Sequence, residues 1–323
     1  MNKRITVLIA LLGFVSMSYS QKSNTFSAYK TDSKRVYAIC FTAKGEALGI
    51  ADYNTIKVFR TGSKELIGEF KNGHKSQILT IDISKDSSLL VSGGKDSTLI
   101  IWDFINKKIL KSLTWQKGII TSVQISPNGK FLISGGTDNK VYLYDIKKNS
   151  VIGEFTKHTN NITSVAFTPD GKYFASSSGD KSINIYDTEK GKLISTLIGH
   201  RNWVRAISFS KDGCRLISCG DDAKIIIWNV SDMHKIQIQN ISKHGLGWLS
   251  GVDFNEDSKT YAFGDINGNA TIMHNFGFDK VKINTIINKL LFKPGELTNL
   301  KIAVATMERG VVLIDAKDME SPL

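Results

Sequence analysis

Along most of the chain, apolar and polar positions alternate in short runs. ITSVAFT (162 to 168) and YFASSS (173 to 178) are examples, with the turn PDGK (169 to 172) between them. Period-2 alternation broken by Pro, Asn, Asp and Gly predicts short strands joined by tight turns. Six-residue stretches rich in β-branched and aromatic residues recur as TIKVFR (55 to 60), TLIIWD (98 to 103), KVYLYD (140 to 145), SINIYD (182 to 187), KIIIWN (224 to 229), NATIMH (269 to 274) and GVVLID (310 to 315). Their last residues lie 43, 42, 42, 42, 45 and 41 positions apart, so the chain repeats at a fixed period. Each unit reads as four antiparallel strands, the third ending in the aromatic-Asp pair and the fourth exemplified by KLISTLI (192 to 198). A lone sheet of this kind leaves both faces apolar, so the units must stack around a closed ring.

The expected fold class is all-β: a seven-bladed β-propeller with four antiparallel strands per blade. The seventh unit supplies Ile287 to Phe292, Ile302 to Thr306 and Val311 to Ile314, and only eight residues follow Asp315, Pro322 among them. Its fourth strand is missing there. The unassigned segment Asn24 to Tyr29 has strand length and is expected to pair with the last blade. That would close the ring and remove its open edges.

The first twenty residues do not fit the repeat. Lys3 and Arg4 precede an uncharged, largely apolar run from Ile5 to Met17, and Ser18-Tyr19-Ser20 puts small residues at a cleavage site before Gln21. These are the parts of a secretory signal peptide. Thirteen residues at helical rise span about 20 Å, short of a hydrocarbon core. The expected organisation is a leader over 1–20 and one propeller domain over 21–323, with no membrane span in the mature chain. An exported compartment follows, periplasmic or secreted.

Composition changes this picture little. The length of 323 residues would suggest two domains, but the single repeat overrides that prior. The formal charge of +12 falls to +10 once Lys3 and Arg4 are removed. Lysines occupy turns at both ends of the blades with acids interspersed, so no single basic stripe emerges, and nucleic acid is not the expected partner. Weak attraction to an anionic envelope surface fits better. The three cysteines, Cys40, Cys214 and Cys219, cannot staple a chain this long. Cys214 and Cys219 fall on one predicted strand about 16 Å apart, too far for a disulfide with each other, and each cysteine is expected to be a partly buried structural thiol.

The pairs Gly73-His74 and Gly199-His200, with Trp102-Asp103, are similar to the signature of WD-repeat β-propellers, and the resemblance covers nearly the whole mature chain. Tyr144 and Tyr186 stand where Trp would be, Asn229 replaces Asp, Gln116 replaces His, and units one, six and seven are degenerate.

Within the units, His74, Ser92 and Asp96 recur as His158, Ser176 and Asp180 and as His200, Ser218 and Asp222. A Ser/His/Asp set invites comparison with a hydrolase triad. A nucleophile is needed once, however, and this set repeats blade after blade. The resemblance implies a structural tetrad in which Asp holds His, His bonds Ser, and Ser takes the indole N–H of Trp102 or Trp228, with Tyr186 at that position in blade four. No G-x-S-x-G, Walker loop, H-E-x-x-H or C-x-x-C occurs, and neither a cofactor nor a metal site is expected.

Function is therefore expected on the loops, in a non-catalytic protein-interaction scaffold. Trp115, Trp203 and Trp248 fall in or beside the loops entering blades three, five and six, and Arg201 and Arg205 flank Trp203. Trp and Arg are enriched in binding hot spots, though an aromatic here can also wedge between blades. Lys95, Thr137, Gly179 and Asp221, each just before a turn Asp, are candidates by the resemblance. The alternative is an enzyme or carbohydrate-binding propeller working at the mouth of the central channel.

Overall fold

Twenty-eight strands make up the computed structural model over its described residues, 27–233, 237–243, 247–274, 277–295 and 300–316. They pair as seven four-stranded antiparallel sheets. Six sheets use four consecutive strands, A to D from the axis outward. Blade four, for example, is Ile162–Phe167, Tyr173–Ser178, Ser182–Asp187 and Lys192–Ile198. The A strands pack each on the next, and the last lies against the first.

The seventh sheet takes its outer strand from the other end of the chain. Ser27–Tyr29 pairs antiparallel with Val311–Asp315, in the register Ser27↔Leu313, Ala28↔Val312, Tyr29↔Val311. The closure expected from the sequence is thus present. Residues 24–26 of that segment, like the leader over 1–20, lie outside the described residues.

A salt-bridged corner ties this strand to blade one. Asp52 is buried and accepts hydrogen bonds from the backbone N–H of Asp32 and of Ser33, both at 2.7 Å. The buried Lys57 ammonium lies 3.0 Å from Asp52 and 2.7 Å from Asp32. Burial pulls the Lys57 amine down, but the two carboxylates outweigh it and hold it above its ordinary value. Blade one has no His/Ser/Asp set, and this ion triad stands at its top corner instead.

Neighbouring blades meet where one residue near the end of each B strand is small. A Cβ on Gly93 would lie 2.5 Å from Ile120 of the next blade, and one on Gly135 would lie 2.4 Å from Ile162. Ala51, Ser177, Cys219 and Ala305 fill the corresponding positions, so buried Cys219 is a small inter-blade residue. Cys214 departs from expectation. The strand begins at Arg215, and Cys214 sits exposed in the A–B turn, where its N–H bonds Asp212.

Every A–B pair has a bulge next to the first residue of the A strand. A bulge re-aims the extra side chain. In four blades that side chain stitches the ring. Thr121 donates to the Ile162 carbonyl at 2.6 Å, Thr163 to Val204 at 2.5 Å, Ser250 to Ile287 at 2.5 Å and Asn288 to Val36 at 2.7 Å. In blade five the bulge residue is Arg205, and it turns elsewhere.

Candidate functional site: relays and the channel mouth

In blade two, Trp102 Nε1–H donates to Ser92 Oγ at 2.8 Å. Ser92 has one hydroxyl proton, so it donates to His74 Nε2 at 2.7 Å. The imidazole proton then sits on Nδ1 and faces Asp96, 3.1 Å from both oxygens. The Lys75 N–H completes the carboxylate at 2.8 Å. Burial pushes the His74 imidazole below its ordinary value despite Asp96. Burial also pulls Asp96 upward, but its hydrogen bonds, led by that from His74, hold its carboxyl below the usual range. The relay therefore runs between a neutral imidazole and a charged carboxylate.

Blade five repeats this arrangement. Trp228 donates to Ser218 at 2.9 Å, Ser218 lies 2.9 Å from His200 Nε2, and His200 Nδ1 lies 2.9 Å from Asp222. In blade four, His158 bonds Asp180 at 2.8 Å and Ser176 at 2.9 Å, but Tyr186 does not take the tryptophan's part. Its buried ring packs on Phe155 and Phe174 and its hydroxyl has no hydrogen-bond partner. Asn184 enters instead, its amide nitrogen 3.1 Å from His158 Nε2 and its oxygen accepting from Thr196 at 2.7 Å. A phenol carries its polar atom at the far end of the ring, where an indole carries its N–H on the side. The phenol hydroxyl therefore comes near Ser176 and Asn184 without repeating the indole's hydrogen bond.

Blade three holds a relay that the sequence reading passed over. The Gln116 carbonyl oxygen accepts from Ser134 at 3.0 Å and its amide faces Asp138 at 3.4 Å. A primary amide offers an acceptor on one side and a donor on the other, as a neutral imidazole does. The signal was present, since Gln116 precedes Ser134 by 18 residues and Asp138 by 22, the same spacings as His74 to Ser92 and Asp96. Ser92, Ser134, Ser176 and Ser218 are fully buried. No substrate can reach these hydroxyls, and the relays are no hydrolase triads.

At the centre, the A strands of all seven blades line a cavity of about 860 Å³. Its wall carries Asp82, Gln124, Asp253 and Lys289. Asp82 accepts from the Ile125 N–H at 2.8 Å, and burial pushes its carboxyl up to about 7. Among the described residues, no group of three or more His, Cys, Asp or Glu is placed to hold a metal ion. No helix among them is long and apolar enough to cross a membrane.

At the top mouth the structure brings together six of the nine partner candidates. The Arg205 guanidinium lies 4.8 Å from the Trp203 ring and makes a two-pronged ion pair with Asp221, at 2.7 and 2.6 Å. The indole of Trp203 also lies against Gly179 of blade four. Trp203 is thus at once an inter-blade wedge and part of the mouth. Trp248 lines the same mouth with half its surface exposed, beside Ile286. Lys95 reaches the mouth from blade two, its amine 5.9 Å from the Tyr37 ring.

The remaining candidates lie apart from this group. Trp115 packs onto Tyr142 and Tyr144, at 4.8 and 6.4 Å between ring centroids, with its N–H buried and unpartnered. It is a packing residue of blade three. The Thr137 hydroxyl accepts from the Ile119 N–H at 2.9 Å and holds its own turn. Arg201 is exposed on the loop, its N–H bonded to Asp222.

Acids are frequent in the top loops, but their carboxylates are spent inward. Asp138 accepts from Gln116 and Tyr142, Asp180 from His158 and Thr159, Asp222 from His200 and Arg201, and Asp265 from the N–H groups of Asn267 and Asn269. With Asp52 and Asp96, six of the seven B–C corners hold an acid in this way. The interspersion read from the sequence is therefore not what a partner meets at this end.

Seven four-stranded blades around a channel, with histidine relays at the top corners of three of them, define a seven-bladed β-propeller of the repeat type. The chain belongs to the WD-repeat β-propellers. The family model described as WD domain, G-beta repeat, matches residues 64–103, and that of the Echinoderm microtubule-associated protein second beta-propeller matches residues 88–248. The chain is also similar to the pre-rRNA-processing protein crb3/ipi3 of Schizosaccharomyces pombe, 32% identical over 95 residues. That alignment covers 28% of this chain and 19% of the relative, so the chain spans about a fifth of that protein's length. A WD-repeat propeller is typically a protein-interaction scaffold.

Proposed function

We propose that this propeller is a non-catalytic scaffold of an exported compartment, holding a protein partner at its top face. The observation that carries the reading is the clamped Trp203–Arg205–Asp221 group beside half-exposed Trp248 at the channel mouth. Rigid aromatic and guanidinium groups held by a scaffold are what binding hot spots are made of. The compartment rests on the leader pattern of residues 1–20.

Cross-linking in the native cell envelope, followed by partner identification, tests the reading. Wild type is compared with Trp203→Ala and Trp248→Ala. Partner lists that lose a protein in both variants support it, and identical lists remove the mouth from the proposal. Amino-terminal sequencing of the mature protein should begin at Gln21.

A second reading, a part in pre-rRNA processing, has the relative's name behind it. The same partner lists separate the two, because ribosome-assembly proteins among the partners, together with an uncleaved amino terminus, would favour the second.

A further inference from the structure

We infer that the top face takes an acidic protein segment whose aromatic or aliphatic side chain seats at the channel mouth. This rests on the top face being the binding face and adds the partner's chemistry. Two independent observations lead to it.

The first is how charge is divided between the inside and the outside of the top loops. The six corner carboxylates are turned into their own blades, and Asp96, Asp180, Asp221 and Asp222 expose no more than 12% of their side chains. Lys75, Lys95, Lys117, Lys157, Lys181 and Arg201, by contrast, are exposed on those same loops. Among the described residues of the loops the exposed acids are Asp32, held by Lys57, and Glu308. A partner approaching this end meets a collar of cations, and complementary charge steers its encounter and fixes its register.

The second is the apolar ground inside the collar. Trp248 and Ile286 are 50% and 42% exposed, and both line the mouth with Trp203. Large exposed apolar side chains grouped at the rim of a cavity mark a contact site. A nucleic acid fits this ground poorly. Single strands are held by successive bases stacking on several open aromatic faces, whereas Trp203 lies against Gly179 and Arg205 and leaves Trp248 as the half-exposed tryptophan of the mouth. A cationic ring around an apolar centre suits a short acidic segment with a hydrophobic anchor.

The test uses the full mature chain and a fluorescein-labelled peptide with a Leu-Trp pair flanked by four glutamates on each side. The controls are its lysine counterpart and a labelled uridine-rich RNA, all read by fluorescence anisotropy. The acidic peptide should bind, weaken as salt rises, and lose about tenfold in affinity with Lys95→Glu/Arg201→Glu and again with Trp248→Ala. Lys44→Glu in a bottom turn should leave binding unchanged, and melting curves for each variant show that the ring is intact. Absence of binding, binding indifferent to both top-face variants, or tighter binding of the RNA would overturn the inference. If the peptide fails while the cross-linked partner list still changes with Trp248→Ala, the acidic chemistry falls and the top-face reading stands. If that list is also unchanged, both fall.

Discussion

The indole of Trp203 covers Gly179 so closely that a Cβ on the glycine would lie 2.8 Å from the ring. Glycine here is a matter of space, and it seats the ring on which Arg205 lies. Gly179→Val should push the indole out of its slot and loosen the Arg205–Asp221 pair. The expected cost is about 1 to 3 kcal/mol, as for overpacking, with a changed tryptophan emission spectrum. An unchanged spectrum and melting temperature would show that the slot is not tight.

Removing Ser92 or Ser218 should destabilise the ring, since each alanine strands an indole N–H and an imidazole nitrogen in a buried site. About 1 to 3 kcal/mol per substitution is expected from denaturant unfolding. Ser176→Ala should cost less, because no indole N–H is stranded in that blade and Asn184 still serves His158. Equal losses in blades two and four would contradict the bonding described.

Lys57→Met should cost about 3 kcal/mol, because it leaves the Asp52 carboxylate buried without its counter-ion. Asp52 keeps two backbone donors, which places the loss at the low end for a broken buried pair. Deleting Lys22 to Thr31 should lower the melting temperature further, because it removes the whole outer strand of blade seven. A deletion that melts like wild type would mean that the ring does not depend on that strand.

Stability should pass through a maximum between acid and neutral pH. His74 and Asp96 are both held below their unfolded values, so what they contribute is complete above pH 6.5 and about 4, respectively. It is lost as pH falls through their folded values. Asp82 behaves oppositely. Its folded value is raised to about 7, so its contribution is complete below about pH 4 and is lost as pH rises from there through 7. Asp82→Asn should therefore raise the denaturant midpoint most at pH 8, less at pH 5 and little at pH 4, and a uniform shift across that range would reject the assignment.

Much of the ring was legible because the repeat is carried by residues that do the same job in most of the blades. The turn Asp, the small inter-blade residue and the strand-C aromatic each return about every 42 positions. What escaped were substitutions in which a different side chain does an equivalent job, or a similar one fails to. Gln116 reads as a departure until its amide is seen to match a neutral imidazole, and Tyr186 reads as a substitute until its hydroxyl is seen not to repeat the indole's bond. The Arg205–Asp221 clamp depends on a bulge that aims one side chain out of the alternation, which a pattern of apolar and polar positions does not encode. The corner of Asp32, Asp52 and Lys57 has no counterpart in the other blades, so periodicity could not point to it.

The pairing of Ser27–Tyr29 with Val311–Asp315 also sets the order of assembly. On the ribosome, or on crossing a membrane amino terminus first, the strand that appears earliest is the one that must wait longest. Blades one to six can form from consecutive strands as they emerge, while blade seven keeps an unpaired edge until the two ends meet. The slow step in maturation is then a single search by a short leading segment, and a chaperone that guards one open edge would be guarding the whole ring.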